Sequence, residues 1–174
     1  LLAAGVMRLD PAEIAEILAR AAKGDGLARL ASGEVAGMNR QRVNVRQTNQ
    51  VAYVRDFDIE LATLVAVHDP QVDVAQEGVI LDCRPVLTGD GKTIHAELRF
   101  SVAQLDRPVA VERVDGATDG KGIRAHRPAL SLARWRTSVV ANAGDYYLVG
   151  GGGPVKIGGA EKTLFAVVRL TPAP

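Results

Sequence analysis

Three carboxylates spaced two apart, Asp56, Asp58 and Glu60, are the side chains whose spacing best suits acid and base chemistry. Alternate residues of a strand share one face, and paired acids can work as general acid and base when burial splits their pKa values. The same spacing is the solvated face of an amphipathic strand whose other side carries Phe57, Ile59 and Leu61, and no surrounding polar cluster demands a cleft. Gly91-Lys92-Thr93 has the composition that ends a phosphate-binding loop, but the full pattern needs a glycine where Val86 stands and a helix where an alternating run begins. Gly150 to Gly153 opens no helix, because Pro154-Val155-Lys156-Ile157 follows, and so reads as a loop or a close strand approach. Ser101, Ser131 and Ser138 lack a nucleophile elbow. Cys83 lacks a partner histidine, and His68, His95 and His126 are too scattered for a metal. No catalytic, cofactor-binding or metal-ligating residue is assigned, and the chain reads as non-enzymatic.

Arg134-Trp135-Arg136 sets an aromatic between two cations, a composition that can stack on bases. Here the alternation Ala133, Trp135, Thr137, Val139 buries the tryptophan and leaves both arginines exposed, or makes the triplet an interface anchor. With 21 Lys plus Arg against 20 Asp plus Glu, the net charge of +1 gives no field to steer a polyanion, so no nucleic-acid partner is expected. The 174 residues, 47% hydrophobic and 24% charged, suffice for one folded domain with a real core. No stretch reaches the about 20 apolar residues of a membrane-spanning helix.

The elements that must position these residues are mainly β. One helix is predicted near the start, where Asp10 caps, Pro11 takes the first position, Glu13 completes a capping box and Gly24 stops the run. Residues 1–34 are therefore read as an N-terminal helical segment and 35–174 as a β-domain of antiparallel sheet and hairpins. Arg42 to Val45 and Val51 to Leu61 are predicted as two strands joined by a turn at Gln47-Thr48-Asn49-Gln50. Leu64 to Val67 is a further short run that ends at His68-Asp69-Pro70. Ile94, Ala96, Leu98, Phe100 and Val102 alternate with polar residues over nine positions, and Thr88-Gly89-Asp90-Gly91 turns this strand back on Val79, Leu81 and Cys83. Asp106 to Pro128 reads as an excursion with a short hairpin around Val109 to Val114. Strand composition returns at Leu130 to Val140, Tyr146 to Val149 and Leu164 to Leu170, with Gly150 to Gly159 between the last two. Thr163 to Val168 is apolar on both faces and calls for protein on two sides, or lipid on one.

Read in order, these segments resemble the multimerising domain of the bacterial secretins. Tyr53-Val54-Arg55-Asp56-Phe57-Asp58-Ile59 is similar to that family's y-v-x-d-y-x-v run. Glu77-Gly78-Val79-Ile80-Leu81-Asp82-Cys83-Arg84-Pro85, after Asp69-Pro70, resembles its G-v-x-L-x-v-x-P strand, and Ile94 to Leu98 its return strand. Gly144-Asp145-Tyr146-Tyr147-Leu148-Val149-Gly150-Gly151 and Lys162 to Pro172 resemble its last two segments. The resemblance spans roughly residues 35 to 172 and lies in the order of several short motifs. It implies a homo-oligomeric ring or pore in the outer membrane or periplasm of a Gram-negative-type bacterium, for export of protein, pilus or phage. The implied partners are copies of the chain, secretion-system components and membrane lipid. The 4% aromatic content is low for a membrane girdle.

The competing expectation is a soluble β-sandwich-like binding module that uses the loops 106–128 and 150–159. For assembly and packing, the residues of choice are Leu81, Ile94, Leu98, Phe100, Trp135, Leu164 and Val167. Leu98→Asp or Val167→Asp is expected to abolish assembly, because an unpaired charge on a buried strand face costs several kcal/mol; light scattering of each variant checks it.

Overall fold

Backbone pairing in the computed structural model, which describes residues 5–62, 65–114, 123–157 and 159–172, runs almost wholly through antiparallel strands. The one helix, α1 (Pro11–Lys23), begins as its capping box dictates. Asp10 Oδ1 accepts the Ala12 and Glu13 N–H groups at 2.8 and 2.9 Å, and Glu13 Oε2 accepts that of Asp10 at 2.8 Å. Gly24, at φ 70°, ends it.

The helix is preceded by β1 (Gly5–Leu9), which pairs with β8 (Tyr146–Ile157). The N-terminal segment is therefore not helical alone: it supplies the edge of a three-stranded sheet ordered β1-β8-β9, where β9 is Ala160–Arg169. Five residues are too few for alternation to reveal a strand. The second sheet has four strands in the order β2 (Val43–Ala62), β3 (Val65–Leu87), β4 (Thr93–Leu105) and β7 (Leu130–Asn142). A separate hairpin joins β5 (Ala110–Val114) to β6 (Ile123–Arg127). Residues 115–122 of the expected excursion lie outside the described residues, as does Leu64.

Three expected breaks are absent. Gln47 to Gln50 does not turn: these residues pair in register with Val79 to Gln76 inside β2. His68-Asp69-Pro70 does not break β3, and Pro70 pairs with Phe57. A proline is tolerated there because β3 has a neighbour on only one side at that level. Gly150 to Gly153 lies within β8, whose register shifts between Gly150 and Pro154. Long-range pairing overrides the local turn signals in each case.

The two larger sheets pack face to face. Cys83, Ala96, Leu98, Phe100, Val139 and Ala141 of the four-stranded sheet meet Tyr147 and Val149 of β8, with Leu81, Trp135, Ala166 and Val168 against them. Val102, Ala133 and Ile157, with Val79, Val155 and Leu164, extend the core. Trp135 stacks on Phe100 with centroids 4.9 Å apart, and the Tyr147 hydroxyl accepts the Asn142 N–H at 2.9 Å.

Gly78 sits where the four-stranded sheet narrows to two strands, paired with Thr48 on one side and Ala103 on the other. Its φ of 135° is open to glycine, and a Cβ there would lie 2.2 Å from the Gln47 carbonyl oxygen. Gly78→Ala should therefore lower stability by at least about 2 kcal/mol, from backbone strain and a clash. Gly89→Ala, where a Cβ meets nothing within 4 Å, should change little. Leu98→Ala should cost about 2–5 kcal/mol, since Leu98 is fully buried. Urea unfolding monitored by Trp135 fluorescence measures all three.

Candidate assembly surface

Beyond Gly78 the chain keeps only β2 and β3, so residues 49–62 and 65–77 form a two-stranded finger. At about 3.3 Å per residue it is about 40 Å long. Two strands alone are marginally stable in water and carry an unpaired backbone row on each side.

A bulge between Val54 and Asp56 decides which side chains share a face. Without the extra residue, Val54 and Phe57 would fall on opposite sides; with it, Ala52, Val54, Phe57, Pro70, Val72 and Val74 share one face. Val72 and Val74 remain 64% and 46% exposed, so much of this apolar face is uncovered. The other face carries Tyr53, Asp56, Asp58, Asp69, Gln71 and Asp73. Polar contacts tie it together: Arg55 Nη2 donates to Gln71 Oε1 at 2.9 Å, Gln71 Nε2 donates to Asp58, and the Tyr53 hydroxyl donates to Asp73 at 3.4 Å.

β6 lies against β2, and Arg127 Nη1 reaches the Arg55 carbonyl oxygen at the bulge, 3.5 Å away. The finger's base is clamped by Glu77. Its carboxylate accepts a two-pronged bond from Arg107, at 2.7 and 2.9 Å, and the Leu105 N–H at 3.0 Å. The Arg107 guanidinium, with help from that N–H, holds the Glu77 carboxyl below its ordinary value against the opposing effect of burial. The clamp fixes the point where β4 leaves β3 and the β5–β6 hairpin begins.

The chemistry-bearing candidates are dispersed. Asp56 and Asp58 are exposed on the finger, Asp56 accepting the Phe57 N–H, and the Glu60 side chain lies outside the described residues. The Gly91-Lys92-Thr93 tip is filled by its own acid: Asp90 accepts the Lys92 and Thr93 N–H groups at 2.9 and 3.0 Å, the donors a phosphate would need. Bonds from the Thr88 hydroxyl and these N–H groups hold Asp90 well below the usual carboxylate range. Burial pushes the Cys83 thiol up and so works against a thiolate. No group of three or more His, Cys, Asp or Glu is placed to hold a metal among the described residues.

The packing candidates divide between the core and the surface. Ile94, Leu98 and Phe100 are buried, while Leu81, Trp135 and Leu164 pack against the core. Val167 does not: it and Phe165 stand on the outer face of β9, 41% and 52% exposed, beside Met7 of β1 at 51%. Its neighbours Leu164, Ala166 and Val168 take the inner face. The strand that reads as apolar on both sides is thus covered on one. The finger was missed in the sequence because the bulge splits the alternation of β2 into two out-of-phase halves.

No family model, curated protein or solved structure matches this chain.

The Glu77 clamp has a pH signature. A carboxylate with a depressed folded-state pKa contributes stability that is fully present above its unfolded value, about 4.3, and is lost as pH falls through the folded value. Glu97 and Asp90 are depressed too and share the effect. Glu77→Gln should lower stability at neutral pH and flatten its decline below about pH 4.5. Thermal melts from pH 7 to pH 3, with wild type and variant compared, read the difference in slope.

Proposed function

We propose that this chain is a non-enzymatic structural subunit of a homo-oligomeric ring or outer-membrane pore of the secretin type, serving export of protein, pilus or phage. The observation that carries the reading is the finger: a two-stranded ladder about 40 Å long, with no third strand paired to it among the described residues and an exposed apolar face at Val72 and Val74. Such an element gains stability when neighbouring copies pair with its edges, and closing the set into a barrel leaves no edge to aggregate. The order of secretin-like segments along the chain supports the same reading. Under this reading the partners are further copies, secretion-system components and membrane lipid, in the outer membrane or periplasm.

The face-to-face packing of the two larger sheets favours a second reading, a β-sandwich binding module that uses the 106–128 and 150–159 segments. Mass separates the two. Light scattering and negative-stain images in mild detergent should give rings of about a dozen copies for the pore and a compact monomer for the module. Val72→Glu with Val74→Glu should dissolve the rings while leaving the monomer's melting point within a few degrees, because both side chains are exposed. Rings that survive this pair of changes would show that the finger's apolar face plays no part in assembly.

A further inference from the structure

The face of the four-stranded sheet turned away from the core is an uncovered cationic surface. Registry puts Arg46, Arg84, Arg99, Arg134 and Arg136 on it, and Arg42 reaches it to bond Glu97 at 3.2 Å. Its carboxylates are Asp82 and Glu97, so six arginines stand against two acids, a surplus of four in a chain whose net charge is +1.

The acids are already engaged. Glu97 gathers Arg42, Arg99 and Arg136, and Asp82 accepts the Asn44 amide at 3.2 Å. Arg46 and Arg134 have no acid or carbonyl partner among the described residues, and both are exposed. They stand at the two ends of one cross-strand row, Arg46, Ile80, Ser101, Arg134. Three strand spacings separate them at the backbone, about 14 Å, the reach of an extended peptide of about five residues.

The next row is hollow. Gly78 and Ala103 floor a groove of about 250 Å³, and Thr48, Gln76, Ile80, Ser101, Leu132 and Arg134 form its sides together with Glu77, whose carboxylate is engaged by Arg107. Hydroxyl and amide groups there can meet a peptide main chain, the aliphatic groups can meet side-chain stems, and the two unpaired arginines can meet carboxylates at either end.

We propose that this groove binds an extended acidic polypeptide segment of a partner, held by Arg46 and Arg134. The inference does not depend on the ring reading, although the groove adjoins the finger: Gln76, Gly78 and Ile80 continue the face of β3 that carries Val72 and Val74. Nucleic acid fits the surface less well. No Phe, Tyr or Trp lies on this face for base stacking.

The test is fluorescence anisotropy of a short labelled polyglutamate peptide titrated with the full chain. A neutral Gly-Ser peptide, a single-stranded oligonucleotide and phosphatidylglycerol vesicles are run alongside. Saturable binding of polyglutamate is expected, weakening with added salt. The double change Arg46→Glu with Arg134→Glu should weaken it at least about tenfold, Arg46→Gln with Arg134→Gln should weaken it less, and Arg20→Glu on the helix should leave it unchanged. Circular dichroism melts and light scattering confirm that each variant keeps its fold and mass. Four results overturn the proposal: no binding of polyglutamate, tighter binding of the oligonucleotide or the vesicles, an equal loss with Arg20→Glu, or a changed oligomeric mass in the charge-reversed variant, which would make the face a contact between copies.

Discussion

Backbone hydrogen bonding along the unbroken β2–β3 ladder is the constraint on which the rest of the structure depends. Each non-proline residue of Val43–Ala62 and Val65–Leu87 must satisfy one donor and one acceptor, and the ladder pairs the whole of β2 with β3 from Val65 to Cys83, with one bulge. Its lower half becomes the floor of the core because β4 continues the sheet from Gly78 onward and β7 continues it from β4. Its upper half has no third strand. The same two strands are therefore core at one end and an exposed finger at the other, and the glutamate clamp, the glycine at the narrowing and the departure of the β5–β6 hairpin all gather at the boundary.

How much of this was legible in the sequence follows from the range of the forces involved. Asp10, Pro11, Glu13 and Gly24 act within one turn of each other, so the helix could be read from them directly. In β4 every second residue from Ile94 to Val102 is buried on one sheet face, so the period of two survives intact. The finger obeys neither condition. Gln47 to Gln50 and Pro70 favour turns by local preference, and only pairing with residues about 13 to 32 positions away holds them extended. The five-residue β1 likewise exists because β8 offers it an edge.

The candidate surfaces were legible to different depths. Trp135 with its two flanking arginines reads correctly from alternation alone, and the tryptophan stacks on Phe100 while Arg134 and Arg136 point to the opposite side. That Arg46 shares a row with Arg134 could not be read, since the two lie 88 positions apart with two strands between them in the sheet. Singly, each arginine is an ordinary solvated residue; only the registry assembles them into a surface of one sign. A chain whose charges nearly cancel overall can still segregate them by face, so the near-zero total rules out long-range steering but not a local cationic site.

Segregation also explains why three surfaces of one domain need not compete. In the four-stranded sheet, one parity of residues makes the core and the other the arginine face, while the backbone edges of β2 and β7 project in the plane between them. A contact made through edge hydrogen bonds neither covers the arginine face nor opens the core. The three-stranded sheet repeats the division with the opposite chemistry: its inner face closes the core through Val149, Ala166 and Val168, and its outer face presents Met7, Phe165 and Val167. The domain therefore offers a cationic side and an apolar side across one shared core.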